Sequence, residues 1–514
     1  MMNKKIWAIF LIFLTCLLLP GAAFAREGIC GYEGGISSGE VTGKTTYDYK
    51  EVCFVTGEPV VFEGTLIIKK SQKQGKTTAT YTYNLKNAAK DATLSRTLVF
   101  ETTTATADNG QITETVSIPF SKPATETIKI GGTTYTLRRT NGYDFARSSL
   151  IDPKPAVNYH AGSIWSKKIY QVGAADDGNT VTVECTGDFY GYDQYWGNAE
   201  SLLLDYTISS EKNGSSGADK WGGAASVAIS STSTEQLEYQ ENKPDQISFS
   251  GSYVQSRANT SILEYTCMLP EFDSKGISTD KVITYKDSLK LETFPVQKRL
   301  PSMNTINIRG HWAEEDIKMM FGLEVFKGDG LSFKPDQYMT RAEFAAGMVQ
   351  IAKEVPQDPA LSARPTITAS RTTAKKTVVS PFDDVSIENV FFTQINSAFD
   401  RGLLDGKGND MFGPNEYISR ADAIVTFIRA LGFESLAPAP AAVTGFRDND
   451  LIPDHARNAA YVAKKIGLLQ GDGKGNMNPS KKLTKADCSA MFRDLITYLQ
   501  DGIQKDYRER LVNY

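Results

Sequence analysis

Three cations stand inside three nearly repeated decapeptides. Arg341 lies in MTRAEFAAGM (339–348), Arg420 in ISRADAIVTF (418–427) and Lys485 in LTKADCSAMF (483–492). Each copy gives an apolar residue, a hydroxyl, the cation, Ala and a carboxylate. Thr340, Ser419 and Thr484 are placed as helix N-caps, and Glu343, Asp422 and Asp487 follow where a capping box puts its carboxylate. Glu can reach back to the cap's own N–H; Asp is shorter and is expected to act chiefly on the helix dipole. Phe344 and Met348, Ile424 and Ile428, and Cys488 and Phe492 then fall i, i+4 on an inward face. Helix initiation explains everything except the cation, which opposes the macrodipole by roughly 0.3–1 kcal/mol. Two accounts stay open. The cation pairs with a nearby carboxylate, or it receives an outside anion at a helix start whose free N–H groups favour negative charge. An Arg would grip a carboxylate through two parallel hydrogen bonds.

A second stretch has residues suited to chemistry. DFYGYDQYWGNAE (188–200) gathers Phe189, Tyr190, Tyr192, Tyr195 and Trp196 with Asp188, Asp193 and Glu200. Carboxylates beside aromatic rings suit glycoside hydrolysis, and the rings suit sugar stacking. Such rings more often fill a β core or corner, and that reading is preferred. The chain has three His (His160, His311, His455), little material for a zinc site or a Ser-His-Asp triad. H-E-x-x-H and C-x-x-C are absent, and the Gly-Asp-Gly loops lack the ligand spacing of a calcium-binding EF-hand. No catalytic residue, metal or cofactor is assigned.

The elements that must position these residues follow two grammars. From about 27 to 296 the chain alternates Thr, Tyr, Val and Ile with period 2, as in TATYTYNL, TVTVEC (180–185) and SILEYTCML (261–269). Gly131-Gly132 and Asn109-Gly110 sit between such runs as hairpin turns. An all-β, sandwich-like region is expected, divided into modules 26–150 and 151–300 at the polar LIDPKPAVN. After 300 the period becomes helical: each of three units reads helix, Gly-rich loop, Pro, helix. They fall at 301–354, 381–434 and 444–497, with linkers at 355–380 and 435–443 and a tail at 498–514.

The first 25 residues read as a secretory signal peptide: Lys4 and Lys5, an apolar run from Ile6 to Leu19, then Ala23-Phe24-Ala25. That run is short of the roughly 20 residues that cross a bilayer, so export without a membrane span is expected. A net charge of −4 gives no broad attraction to nucleic acid. Cys30, Cys53, Cys185 and Cys267 allow two disulfides in an oxidising setting; Cys30–Cys53 with Cys185–Cys267 gives the shortest loops. Cys488 takes the place of Phe344 in its copy and reads as a buried small hydrophobe.

INIRGHWAEEDIKMM…GDGLSFKPDQYMTRAEFA, FDDVSIENVFFTQINSAFDRGLLDGKGNDMFGPNEYISRADA and FRDNDLIPDHARNAAYVAKKIGLLQGDGKGNMNPSKKLTKADC resemble three S-layer homology (SLH) domains over roughly 305–497. The resemblance implies an all-α pseudo-trimeric prong that binds peptidoglycan-linked secondary cell-wall polysaccharide, often pyruvylated. It thereby implies an exported protein held non-covalently at the cell surface. It also implies that Arg341, Arg420 and Lys485 face grooves between units and meet the glycan carboxylate. Trp312 takes the family's aromatic position, and Asp384 and Asp448 keep the Asp of its F-x-D-V opening. The first unit departs, with Thr305 and Asn307 there; the Trp position becomes Phe391 or Phe392 and then His455. Lys485 is a point charge, so the third groove is expected to be the weaker. Linked grooves would gain by avidity on a polymer. The expected function is a non-enzymatic surface protein whose β region serves as S-layer, structural or adhesive module, with other copies of itself as further partners. An SLH-anchored carbohydrate-active enzyme is the alternative.

Overall fold

In the computed structural model the described residues are 34–38, 45–73, 75–174, 178–214, 217–241, 251–274, 276–293, 295–355, 380–438 and 442–507. The expected signal peptide, Cys30 and its bridge to Cys53, most of the 355–380 linker and the end of the tail lie outside them.

Alternation in the first 300 residues produces strands throughout. They are β1 (Ile36–Ser37), β2 (Thr46–Cys53), β3 (Val60–Lys73), β4 (Lys76–Asn87), β5 (Ala92–Thr106) and β6 (Ile112–Ser117). Next come β7 (Thr125–Ile130), β8 (Thr133–Leu137), β9 (Tyr143–Pro153), β10 (Val157–Val172) and β11 (Thr180–Gln194). The last are β12 (Gly197–Gly214), β13 (Gly217–Gln240), β14 (Ser252–Phe272), β15 (Ser278–Glu292) and β16 (Val296–Arg299). All sixteen join one antiparallel sheet in the order β1-β2-β3-β4-β5-β6-β9-β10-β11-β12-β13-β14-β15. The β7–β8 hairpin bridges β5 to β10, and β16 adds to β14. Gly131 and Gly132, both at positive φ, make the tight turn of that hairpin.

The sequence suggests short strands in two modules. Ten of the sixteen strands are instead long, up to 24 residues in β13, and the division placed at 150/151 falls inside β9, which hydrogen-bonds β6 and β10. Hydrogen bonding therefore runs through one sheet. It curls so that Phe54, just after β2, meets Tyr206 and Tyr265 at 5.8 and 6.0 Å between ring centroids. The enclosed side chains form one apolar core that includes Tyr81, Tyr83, Phe100 and Phe189.

That core also holds charge. Arg96 donates to Glu51 (2.8 Å) and Glu126 (2.7 Å), and Lys168 reaches Glu126 at 3.0 Å, all buried. Two cations face two carboxylates, so each buried charge has a partner. The expected Cys185–Cys267 bridge is not formed. Register runs from Cys185 to Tyr206, Ala225 and Cys267 across four strands, three spacings or ~14 Å, about twice what a disulfide spans. Burial pushes the Cys267 thiol up to about 11 and Cys53 up to about 12.

After β16 the chain enters the helical region directly: Leu300 donates its N–H to Tyr253 O in the sheet at 2.9 Å and packs in the helical core. The helices are α1 (Glu314–Gly322), α2 (Arg341–Ile351), α3 (Phe392–Asp400), α4 (Arg420–Leu431), α5 (Asp454–Lys465) and α6 (Lys485–Thr497). A π-helical turn at Tyr498–Gly502 leads into α7 (Ile503–Asp506). Each unit contributes one helix pair. Phe344, Met348, Ile424, Ile428, Cys488 and Phe492 are all buried, as their spacing suggests. The rings of Phe344, Phe427 and Phe492 meet at 5.2–6.2 Å where the units converge. A Cβ on Gly347 would lie 2.8 Å from the Phe492 ring, so glycine there lets the units close.

Sheet and helices share one core. Trp196, 1% exposed, donates Nε1–H to Ile351 O at 2.8 Å, and Tyr507 packs edge-on against Tyr192 at 5.5 Å. Ala156 N–H bonds Ala430 O, Tyr159 Oη bonds Leu431 O, and Tyr253 Oη bonds Glu315 O. Gln194 reaches Leu499 O, and Arg401 reaches Pro155 O and Ala352 O.

Candidate functional site

The residues just before each repeated cation zip the units into a closed ring. Met339 N–H donates to Leu483 O (2.9 Å), Leu483 to Ile418 O (3.1 Å) and Ile418 to Met339 O (3.0 Å). The N-termini of α2, α4 and α6 all start from this ring. Thr340 and Thr484 make full capping boxes with Glu343 and Asp487. Asp487 is thus long enough after all, its carboxylate 3.0 Å from Thr484 N. Asp422 accepts instead from the Ser419 hydroxyl at 2.7 Å and faces His455 Nε2 at 3.3 Å.

Each cation reaches into the next unit. Arg341 donates its backbone N–H to Glu416 O (2.7 Å), Nε to Phe412 O and Nη2 to Asp405 O (both 3.0 Å). It is buried, its guanidinium over the Phe412 ring at 5.0 Å and 4.0 Å from Asp422. Burial lowers its pKa, against the pull of Asp422 and Glu416. Arg420 repeats the pattern one unit on, with its N–H to Lys481 O (2.9 Å) and Nη2 to Gln470 O (3.0 Å). Its buried Nε has no hydrogen-bond partner among the described residues, and the side chain is only half-buried. Lys485 closes the circle: its N–H bonds Gln337 O, and its ammonium sits 3.0 Å from Glu343 and 3.2 Å from Gln337 Oε1. The carboxylate that offsets a cation in the first turn therefore belongs to the neighbouring unit.

Asp384 and Asp448 are loop braces. Asp384 accepts from Phe412 N (2.8 Å) and Gly413 N (2.7 Å), and Asp448 from Met477 N and Asn478 N (both 2.7 Å). In the first unit the Asn307 amide donates to Leu331 O. Asp472, in the third Gly-rich loop, accepts from Lys474 N and Asn476 N, and these bonds hold its carboxyl well below the usual range. Among the described residues no His/Cys/Asp/Glu group is placed to hold a metal. Trp312 is 63% exposed beside the His311 ring at the start of α1. The residue pattern left three ring residues unnoticed. Tyr338, Tyr417 and Lys482 occupy the same place in each copy, two before the capping hydroxyl. The two exposed tyrosine rings lie 5.3 Å apart, with Lys482 Nζ 5.1 Å from the Tyr417 centroid.

The aromatic stretch 188–200 is placed elsewhere. Phe189 fills the sheet core under Arg147, Trp196 and Tyr192 join sheet to helices, and Glu200 is buried 3.4 Å from His160. The cavity beside Glu200 holds about 30 Å³, lined by Tyr190, Ser230 and Tyr507 among others. That is room for a water rather than a sugar ring.

Residues 308–345 and 381–424 match the model of the S-layer homology domain. An amylopullulanase of Thermoanaerobacterium thermosulfurigenes is 24% identical over 194 residues, 37% of this chain and 9% of that protein. An S-layer protein of Bacillus licheniformis is 32% identical over 124 residues, 22% of this chain and 13% of its own length. S-layer protein EA1 of Bacillus anthracis is 33% identical over 113 residues, 22% and 12% respectively. The chain thus spans a small fraction of these relatives, and the relatives with enzyme names match only over the region of the repeats.

Proposed function

Because this chain carries S-layer homology domains at 308–345 and 381–424, we propose that its helical region is a three-fold pseudo-symmetric prong. It holds an exported protein on the cell wall by binding an anionic, pyruvylated secondary cell-wall polysaccharide. The sheet then serves as a non-enzymatic surface-layer or adhesive module. The observation that carries the reading is Arg420. Its guanidinium is half-buried at a helix start and keeps a buried N–H donor that no described group accepts. A carboxylate beside it would gain a charge-assisted bond in a site already sheltered from water. Arg341 has its donors on carbonyls and Lys485 is held by Glu343, so the three grooves are unequal. Carrying the His455–Asp422 contact one step round the ring sets exposed Trp312 on the Asp487 side, where Arg420 also lies. An aromatic ring and a cation there suit a charged sugar.

The test is co-sedimentation of the full chain with purified cell-wall sacculi. Arg420→Ala should cut pelleting about tenfold, the worth of one charge-assisted pair, while leaving the melting temperature nearly unchanged. Arg341→Ala should act mainly on stability, since it strands buried carbonyls. Removing pyruvate from the glycan should mimic Arg420→Ala. Full pelleting after both treatments would sink the carboxylate contact.

A further inference from the structure

We propose that Tyr338 and Tyr417, with Lys482 beside them, form a stacking platform for a neutral sugar ring of the wall polysaccharide, next to the groove that takes its acidic residue. The proposal deepens the anchoring reading and rests on it. The platform stands at one pole of the helical region. The far ends of α2, α4 and α6 all meet the sheet: Ile351 O accepts from Trp196, Ala430 O from Ala156, and Leu499 O, just past α6, from Gln194. Helices of 11–13 residues are ~16–20 Å long, so the ring from which all three start lies at the opposite pole. A polymer can approach that pole without meeting the sheet.

The fold does not need aromatic rings there. Backbone hydrogen bonds among Met339, Ile418 and Leu483 close the ring, and their side chains are buried beneath it. Thr340, Ser419 and Thr484 cap the helices. One residue before each buried plug, Tyr338, Tyr417 and Lys482 are exposed instead. The tyrosines are 46% and 47% exposed, with ring centroids 5.3 Å apart and planes at 51°. Tyrosine offers an apolar face with a hydroxyl at its edge. A pyranose has the matching make-up, with carbon–hydrogen bonds on one face and hydroxyls around the rim. The tilted rings make a shallow wedge for it. A bare carboxylate gains less, since the Lys482 ammonium already sits 5.1 Å from the Tyr417 centroid. Spacing links platform and groove. Tyr417 is three residues from Arg420, at most ~11 Å of chain, so one polymer can set an acidic residue at Arg420 and a neutral one on the rings. The joined contacts then reinforce each other.

Co-sedimentation of the full chain with sacculi, intact or stripped of pyruvate, tests this. Stripped sacculi keep the neutral sugars, so the pelleting they retain should fall about tenfold in the double variant Tyr338→Ala with Tyr417→Ala. Tyr338→Phe with Tyr417→Phe keeps both ring faces and should stay within about twofold of the parent. Arg420→Ala should lower pelleting on intact sacculi and change nothing on stripped ones. In the parent, stripped polysaccharide should also protect Tyr338 and Tyr417 from nitration by tetranitromethane. Alanine variants that pellet like the parent on stripped sacculi, phenylalanine variants that fall as far as the alanine ones, or rings left unprotected would each overturn the platform. So would loss of all parent pelleting once pyruvate is removed, or alanine variants that change only the mass of the chain in light scattering, the mark of a self-association surface. A parent that pellets with neither preparation would end the anchoring reading and this proposal together, whereas unaffected tyrosine variants beside a pelleting parent would end this proposal alone.

Discussion

At the scale of single residues, the buried quartet of Glu51, Arg96, Glu126 and Lys168 ties stability to acidity. Burial works against ionisation of Glu126, but Arg96 and Lys168 outweigh it and bring its pKa from 4.5 down to about 2. A carboxyl depressed in the fold gives stability that is complete above its unfolded value and lost as pH falls toward its folded one. The urea midpoint should therefore be flat above about 4.5 in this respect and decline from there to about 2. Glu126→Gln should be less stable at neutral pH and show a shallower acid decline; an unchanged acid profile would remove Glu126 from the account. Nothing in the alternation around Arg96 announces this quartet, because its members come from β2, β5, β7 and β10. The repeated cations are the opposite case. Arg341, Arg420 and Lys485 stand out in the residue pattern because they defy the helix dipole. Their partners are hidden, being backbone carbonyls and carboxylates of the next unit, such as Phe412 O and Asp405 O.

At the scale of elements, the caps are the most readable feature, since they depend on four consecutive residues. Thr340→Ala and Thr484→Ala each remove a reciprocal box and should cost about 1 kcal/mol, seen as a lower melting temperature by helical circular dichroism. Ser419→Ala should cost less, because its box is not closed. Equal losses at all three positions would mean the boxes add nothing. Helix ends were less legible than their starts. Glu324 follows the α1 stripe in spacing, yet the helix stops at Gly322 and Glu324 sits at φ 62. Strand identity was legible from period 2 in β4, β11 and β14, whereas strand length and pairing were not. Alternation marks which face a residue takes but carries no record of the neighbouring strand, so the polar 150–158 stretch looked like a break when it is the end of β9, a three-residue turn and the start of β10.

At the scale of the whole molecule, one apolar core runs through both the sheet end and the helices, with Trp196, Tyr192 and Tyr253 on one side and Ile351, Leu499 and Tyr507 on the other. Calorimetry of the full chain should show a single main transition joining these parts. Trp196→Ala removes about 3–5 kcal/mol of packing and should split the trace into two; two transitions already present in the unaltered chain would contradict a shared core. The amino-acid pattern could not disclose this seam, since Trp196 and Ile351 are far apart in the chain and an aromatic run reads alike in a core, a corner or a joint. With β16 passing straight into Leu300 and no slack segment between, the sheet behaves as a lever fixed at its root. A pull or shear applied to its far end is carried across Trp196 and its neighbours to the ring of helices, arriving as torque instead of being absorbed by a tether.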